Sequence, residues 1–194
     1  MNLAHLVLQP RRFFEQPTDS INWAWPLIGF YFFGFANFFQ QFVTHEVNMP
    51  YWLVVFVVAW APAVVLAAGF FVLLVLLWYW PASRVLGTTQ PLVRSTKIVG
   101  ASLLPAGVVF TASLLIVASV KANGFAAPYK LIVGALHSAF GLWALGLIVL
   151  AATVANRFTT KKIALFVLWL AALVAIAGAL AHSTIDLWLT RTPS

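Results

Sequence analysis

Polar positions along this chain fall in short clusters separated by long apolar runs. The longest run, residues 51–80, has no charge and no polar side chain beyond two tyrosine hydroxyls. As a helix it would be roughly 45 Å long at 1.5 Å per residue, about the bilayer with its headgroups. It is too long for a globular core helix and too short for two crossings. The pattern predicts one membrane helix that kinks at Pro62, where a backbone donor is missing. Trp78, Tyr79 and Trp80 close it with rings suited to the membrane interface, followed by Pro81. Arg84, Arg94 and Lys97 then read as a polar loop.

Four further runs have comparable character, at about 23–43, 98–120, 131–155 and 163–187. Each satisfies the spanning length. The expected architecture is therefore all-α: a lead-in over 1–22 and a five-helix membrane domain over 23–190. Pro105 interrupts the third span, which also carries Ser102, Thr111, Ser113 and Ser119. In the lead-in, Arg11 and Arg12 beside Phe13 and Phe14 suit the headgroup layer, rings down and charges out. Asn123-Gly124 and Pro128 mark a turn. Small residues recur every four positions at Ala171, Ala175, Ala179 and Ser183, and at Gly134 and Ser138. Such spacing lets helix backbones approach, and packing within the chain is the favoured reading, with a homo-oligomer as the alternative.

Composition reinforces this picture. Of 194 residues, 63% are hydrophobic and 8% charged, far below the roughly 25% charged of a soluble domain. The net charge is +7. Eight of the eleven Lys and Arg fall on one side of the alternating topology: Arg11, Arg12, Arg84, Arg94, Lys97, Arg157, Lys161 and Lys162. Lys121, Lys130 and Arg191 fall on the other. The positive-inside rule then places the N-terminus in the cytoplasm and the C-terminus outside. The eight cations would meet anionic lipid headgroups. No basic nucleic-acid module is present, so nucleic acid is not an expected partner. No cysteine is available for a disulfide, thiol nucleophile or thiolate metal site. No signal peptide is evident, since no small-residue cleavage site ends the first apolar run.

Candidate chemistry is sparse. There is no phosphate loop, no GxSxG elbow and no HExxH helix, and the span serines lack an evident base, so no enzymatic activity and no cofactor are expected. Asn37, Gln40 and Gln41 end the first span, and amides at that depth seek partners. His137, two turns into the fourth span, reads first as a histidine bonded to a neighbouring helix and second as a proton relay or ligand. A cavity could form from Asn37, Gln40, Gln41, Ser102 and His137 beside the kinks at Pro62 and Pro105. His45, Glu46, His182 and Asp186 all fall at the outer ends of spans, and their ligand types are ones zinc accepts. Ordinary interfacial polar residues are the favoured reading of those four.

Three features resemble the Yip domain family, five-span membrane proteins named for interacting with Ypt/Rab GTPases. Pro10-Arg11-Arg12-Phe13-Phe14 is similar to the proline-then-aromatic start of bacterial members. Gly100-Ala101-Ser102-Leu103-Leu104-Pro105 resembles the family's Gly-Tyr-Ser-Leu-Leu-Pro signature, with alanine for tyrosine. The last two spans, with Trp143 mid-helix and a basic turn between them, resemble the family's C-terminal pair. The Asp-Leu-Tyr-Gly-Pro motif of eukaryotic members is missing, so the resemblance implies a bacterial inner-membrane member. The implied role is a non-enzymatic scaffold that recruits lipids or other membrane proteins at a basic cytoplasmic face. The alternatives are a small permease or lipid or ion transporter using the kinked helices, and an outer-face divalent-metal site.

Overall fold

The computed structural model describes residues 3–15, 21–44, 52–88, 90–123 and 128–189, the side chains of 3–5, 52–53, 55, 174 and 177–189 excepted. Every regular element among them is helical: α1 (Leu3–Leu8), α2 (Pro10–Glu15), α3 (Ala24–Thr44), α4 (Trp52–Val58), α5 (Trp60–Phe70), a π-helical segment (Phe71–Tyr79), α6 (Trp80–Val85), α7 (Leu92–Ala122), α8 (Tyr129–Asn156) and α9 (Thr160–Leu189). Among the described residues, three helical stretches are long and apolar enough to cross a membrane: Trp60–Val85, Leu92–Ala122 and Tyr129–Asn156.

The centre of the bundle is α7. Its residues from Ser95 to Gly107 are buried on every face. Glycine makes this possible, because a side chain at these positions would occupy the space of the facing helix. A Cβ on Gly29 of α3 would collide with the Gly100 carbonyl of α7. One on Gly100 would lie 2.6 Å from the Pro26 carbonyl oxygen, and one on Gly107 2.7 Å from the Phe33 nitrogen. The contacts advance together along both chains, so α3 and α7 run parallel. Against α4 and α5 the order reverses: Phe39 meets Phe56 of α4, while Gly34 meets Ala63 and Phe33 meets Phe70 of α5. Helix α5 is therefore antiparallel to α3. Close backbone approach through small residues is the packing mode expected where lipid removes the hydrophobic drive between helices.

The buried Ser and Thr hydroxyls of α7 return to their own chain within one turn. Ser102 donates to the Ile98 carbonyl at 2.8 Å and Thr111 to the Gly107 carbonyl at 2.8 Å. The outside is apolar, with Val65, Leu131, Leu142 and Leu168 among many exposed branched side chains. Hydroxyls satisfied internally and hydrocarbon presented outward match a lipid solvent.

The run over 51–80 is helical through its described residues, with the proline interruption falling upstream of Pro62 and a change of winding after Phe70. Helix α4 ends at Val58 and α5 begins at Trp60, so the break lies at Ala59 rather than at Pro62. The proline ring at position 62 clashes with the carbonyl four residues back, that of Val58, which displaces the break upstream. From Phe71 the chain winds as a π-helix for nine residues and then continues as α6 through Pro81. Pro81 cannot donate to the Leu77 carbonyl. That carbonyl accepts instead from the Trp169 indole Nε1 of α9, at 3.2 Å.

The interfacial role of the Trp-Tyr-Trp end is also corrected. Trp78 and Tyr79 point inward and are fully buried. Both pack on Phe166 of α9, at ring-centroid separations of 4.9 and 5.6 Å. The polar loop shrinks as well: Arg84 sits in α6, while Arg94 and Lys97 sit in the first turns of α7, which starts just after Pro91. Proline fixes its own φ and suits the position before a helix. Finally, Ala171 and Ala175 of α9 are exposed, as are Gly134 and Ser138 of α8. At these four positions the small residues do not pack within the chain; the side chains of Ala179 and Ser183 lie outside the described residues.

Helix α8 ends with Arg157 in the left-handed region, φ 52°. The Phe158 N–H closes the turn on the Thr153 carbonyl at 3.1 Å. A non-glycine residue there costs about 1–2 kcal/mol. Arg157→Gly is therefore expected to raise the unfolding free energy by about 1 kcal/mol, read as a higher melting temperature in detergent. An unchanged or lower melting temperature would mean that the arginine side chain contributes more than its backbone costs.

Candidate functional site at the basic end

The fold gathers the cationic positions. Leu6, Phe13 and Phe14 of the lead-in are buried in the main core, the two phenylalanines meeting edge to face at 5.1 Å. Arg11 and Arg12 stay exposed, the former paired with Glu15 at 3.2 Å. A cavity of about 430 Å³ between α2 and α8 is lined by Arg11, Glu15, Thr153 and Arg157. The turn after α6 lies beside the α8–α9 turn, since a Cβ on Gly87 would be 3.7 Å from Lys162 Nζ. Gln90 donates to the Ala155 carbonyl at 3.4 Å. The lead-in, the α6–α7 turn and the α8–α9 turn thus share one end. Arg84 stacks over Trp80 at 5.0 Å there. At the opposite end, Lys121 Nζ donates to the Val43 carbonyl at 3.0 Å.

Just inside the basic end lies a polar group that the sequence pattern did not single out. Asn156 Nδ2 donates to the buried Tyr79 hydroxyl at 3.3 Å, and Arg94 is within electrostatic reach of that hydroxyl. Ser83 is fully buried and Gln90 nearly so. Trp80 Nε1, Ser83 Oγ, Gln90 Oε1, Arg94 Nε and Asn156 Oδ1 are buried without a hydrogen-bond partner. Buried polar atoms seek partners such as ordered water, which can be hosted where several face one another. The clue in the sequence was the spacing of Tyr79 and Ser83, four apart on one helical face. It was hidden because Tyr79 read as part of an interfacial belt.

A second feature is a lateral groove of about 750 Å³. It is lined by Trp23, Leu27 and Tyr31 on the α3 side, by Val64, Ala68 and Phe71, and by Val93 and Thr96 of α7. Tyr31 closes one end, its hydroxyl donating to the Trp60 carbonyl at 3.0 Å. At the other end Lys97 Nζ stands 5.3 Å above the Trp23 ring. Lys97 is only 9% exposed.

The residues expected to line a central cavity are placed as follows. His137 Nδ1 and Gln40 Oε1 are 2.9 Å apart, joining α8 to α3. The Asn37 amide donates to the Phe33 carbonyl of its own helix at 2.8 Å. Gln41 is exposed, whereas Ser102 and Pro105 lie in the buried centre of α7. Neither the groove nor the α2–α8 cavity is lined by any of these residues. His45 and Glu46, and the side chains of His182 and Asp186, lie outside the described residues. Among the described residues no three His, Cys, Asp or Glu come together as metal ligands.

The class these features define is an all-helical membrane protein. No family model, curated protein or solved structure matches the chain.

Proposed function

We propose that this chain is a non-enzymatic protein of a bacterial inner membrane, crossing it five times with the N-terminus in the cytoplasm. Its basic end engages anionic lipid headgroups and recruits membrane components there, in the manner of a Yip-type scaffold. The observation that carries the reading is the gathering of Arg11, Arg84, Arg157, Lys162 and their neighbours at one end of an apolar bundle. Two of the five crossings are α3 and α9, with 21 and 30 residues, both long enough to span a ~30 Å hydrocarbon core. The Yip resemblance rests on the sequence of the Gly100–Pro105 stretch, which lies in the buried part of α7. A packed centre of backbone-bonded hydroxyls favours a scaffold over a permease.

Each Lys or Arg near an anionic surface contributes about 1 kcal/mol. Replacing Arg157, Lys161 and Lys162 by glutamine should therefore lower the affinity for vesicles rich in phosphatidylglycerol. In nanodiscs, the enrichment of phosphatidylglycerol over phosphatidylcholine around the protein is expected to fall several-fold and to become insensitive to salt. Unchanged enrichment in the triple variant would remove the headgroup role.

A further inference from the structure

We propose that the lateral groove seats one acyl chain of an anionic phospholipid, with the phosphate held at Lys97. The proposal rests on the membrane reading above and assigns a lipid to one defined place.

Four observations point to this occupant. The groove is walled almost entirely by hydrocarbon and aromatic side chains, Thr96 and the Tyr31 hydroxyl being its polar elements. The Tyr31 hydroxyl already donates to a carbonyl, so it does not call for a polar ligand. From Trp23 to Tyr31 the groove extends about 12 Å along the helix direction, close to the hydrocarbon depth of one leaflet, about 15 Å. It starts at the end of the bundle where the cations collect and closes at Tyr31, which suits a chain entering from the inner headgroup layer.

Charge supplies the fourth observation. Lys97 as a whole residue is 9% exposed, and its ammonium lies over the face of Trp23, a residue of the groove's lining. The one carboxylate whose side chain is described, Glu15, is paired with Arg11. A cation partly withdrawn from water, with no carboxylate beside it among the described residues, is only partly compensated by a cation–π contact. A phosphate at the groove mouth would complete the compensation through a charge-assisted hydrogen bond. A neutral amphiphile or a bare alkane would leave the ammonium as it is, so the occupant is an anionic lipid. An apolar helix from another protein would fill the walls but would not answer the charge.

The test uses the full-length protein in nanodiscs of mixed phosphatidylglycerol and phosphatidylcholine. A photoactivatable group on the acyl chain of phosphatidylglycerol reports where the lipid lies, by peptide mapping of the cross-links. Labelling of the wild type is expected to concentrate at Leu27, Val64 and Ala68. Ala68 is exposed, so Ala68→Trp fills the groove without disturbing the core and should cut that labelling about tenfold. Lys97→Gln should keep the cross-links but erase the preference for phosphatidylglycerol over phosphatidylcholine. Even labelling over Leu131, Leu142 and Leu168 would overturn the proposal, and so would a groove protected by a second protein chain. Loss of headgroup enrichment in the Arg157, Lys161 and Lys162 variant, with groove labelling retained, would uphold both readings. Retained enrichment there with groove labelling intact would sink the basic-face reading alone.

Discussion

Replacing Gly100 by valine is expected to prevent recovery of the folded bundle. The atoms that a side chain would meet are those of the Pro26 backbone and ring, and the nearest is 2.6 Å from a mere Cβ. Neither can swing away like the end of a long side chain. Overpacking a core usually costs 1–3 kcal/mol, and here relief requires α3 and α7 to separate along their length, which places the cost at about 3 kcal/mol or more. Gly29→Val should behave alike, because its Cβ would meet the Gly100 carbonyl. The control is Gly141, where an added Cβ would have nothing within 4 Å. Gly141→Ala is expected to be neutral or to stabilise by up to about 1 kcal/mol through helix propensity. Size-exclusion recovery and thermal unfolding in detergent separate the outcomes. Equal recovery of the Gly100 and Gly141 variants would show that α3 and α7 do not pack as described.

Trp78→Ala is the second large effect. The indole is fully buried, packs at a tilt against the Phe166 ring with centroids 4.9 Å apart, and donates to the Phe166 carbonyl at 3.1 Å. Trp169 returns a bond from α9 to the Leu77 carbonyl. This reciprocal pair ties α9 to the bundle, whose other helices are held by longer seams. Truncating a buried tryptophan costs about 3–5 kcal/mol through lost contacts and the cavity left behind. The expected phenotype is local: α9 detaches while the α3–α7 seam persists. Limited proteolysis in the α8–α9 turn should accelerate more than tenfold, with the α3–α8 fragment remaining compact. Cleavage at the wild-type rate would show that the Trp78–Phe166 contact is dispensable.

The helical class was readable from the apolar runs because lipid solvent leaves few alternatives: backbone groups must bond internally. The grouping of basic turns followed from their alternation along the chain, and the fold does bring Gly87 to Lys162 and Arg11 to Arg157. What the pattern could not show was which apolar faces meet. Residues 71–79 are apolar or aromatic throughout, so nothing in them distinguishes an α-turn from a π-turn. The direction of Trp78 depended on Phe166, 88 positions away. Pro62 was visible as a breaker, but the break falls at the carbonyl it obstructs rather than at the ring. The Arg94 and Lys97 region read as loop because charge outweighed the helical register set after Pro91. As a result Arg94 of the polar group around Tyr79, and Lys97 at the mouth of the groove, were both hidden in what looked like a linker. The Gly100–Pro105 stretch stood out as a motif. Its place at the centre follows from glycine contacts that only the facing residues Pro26 and Gly29 complete.

Sided labelling tests the central claim most directly, since the chain contains no cysteine and each introduced thiol is unique. Gly87→Cys, Lys161→Cys and Lys130→Cys would be probed with a membrane-impermeant maleimide in spheroplasts and in inverted inner-membrane vesicles. The account expects positions 87 and 161 to react only in inverted vesicles and position 130 only in spheroplasts. Reaction of positions 87 and 130 from the same side would contradict it.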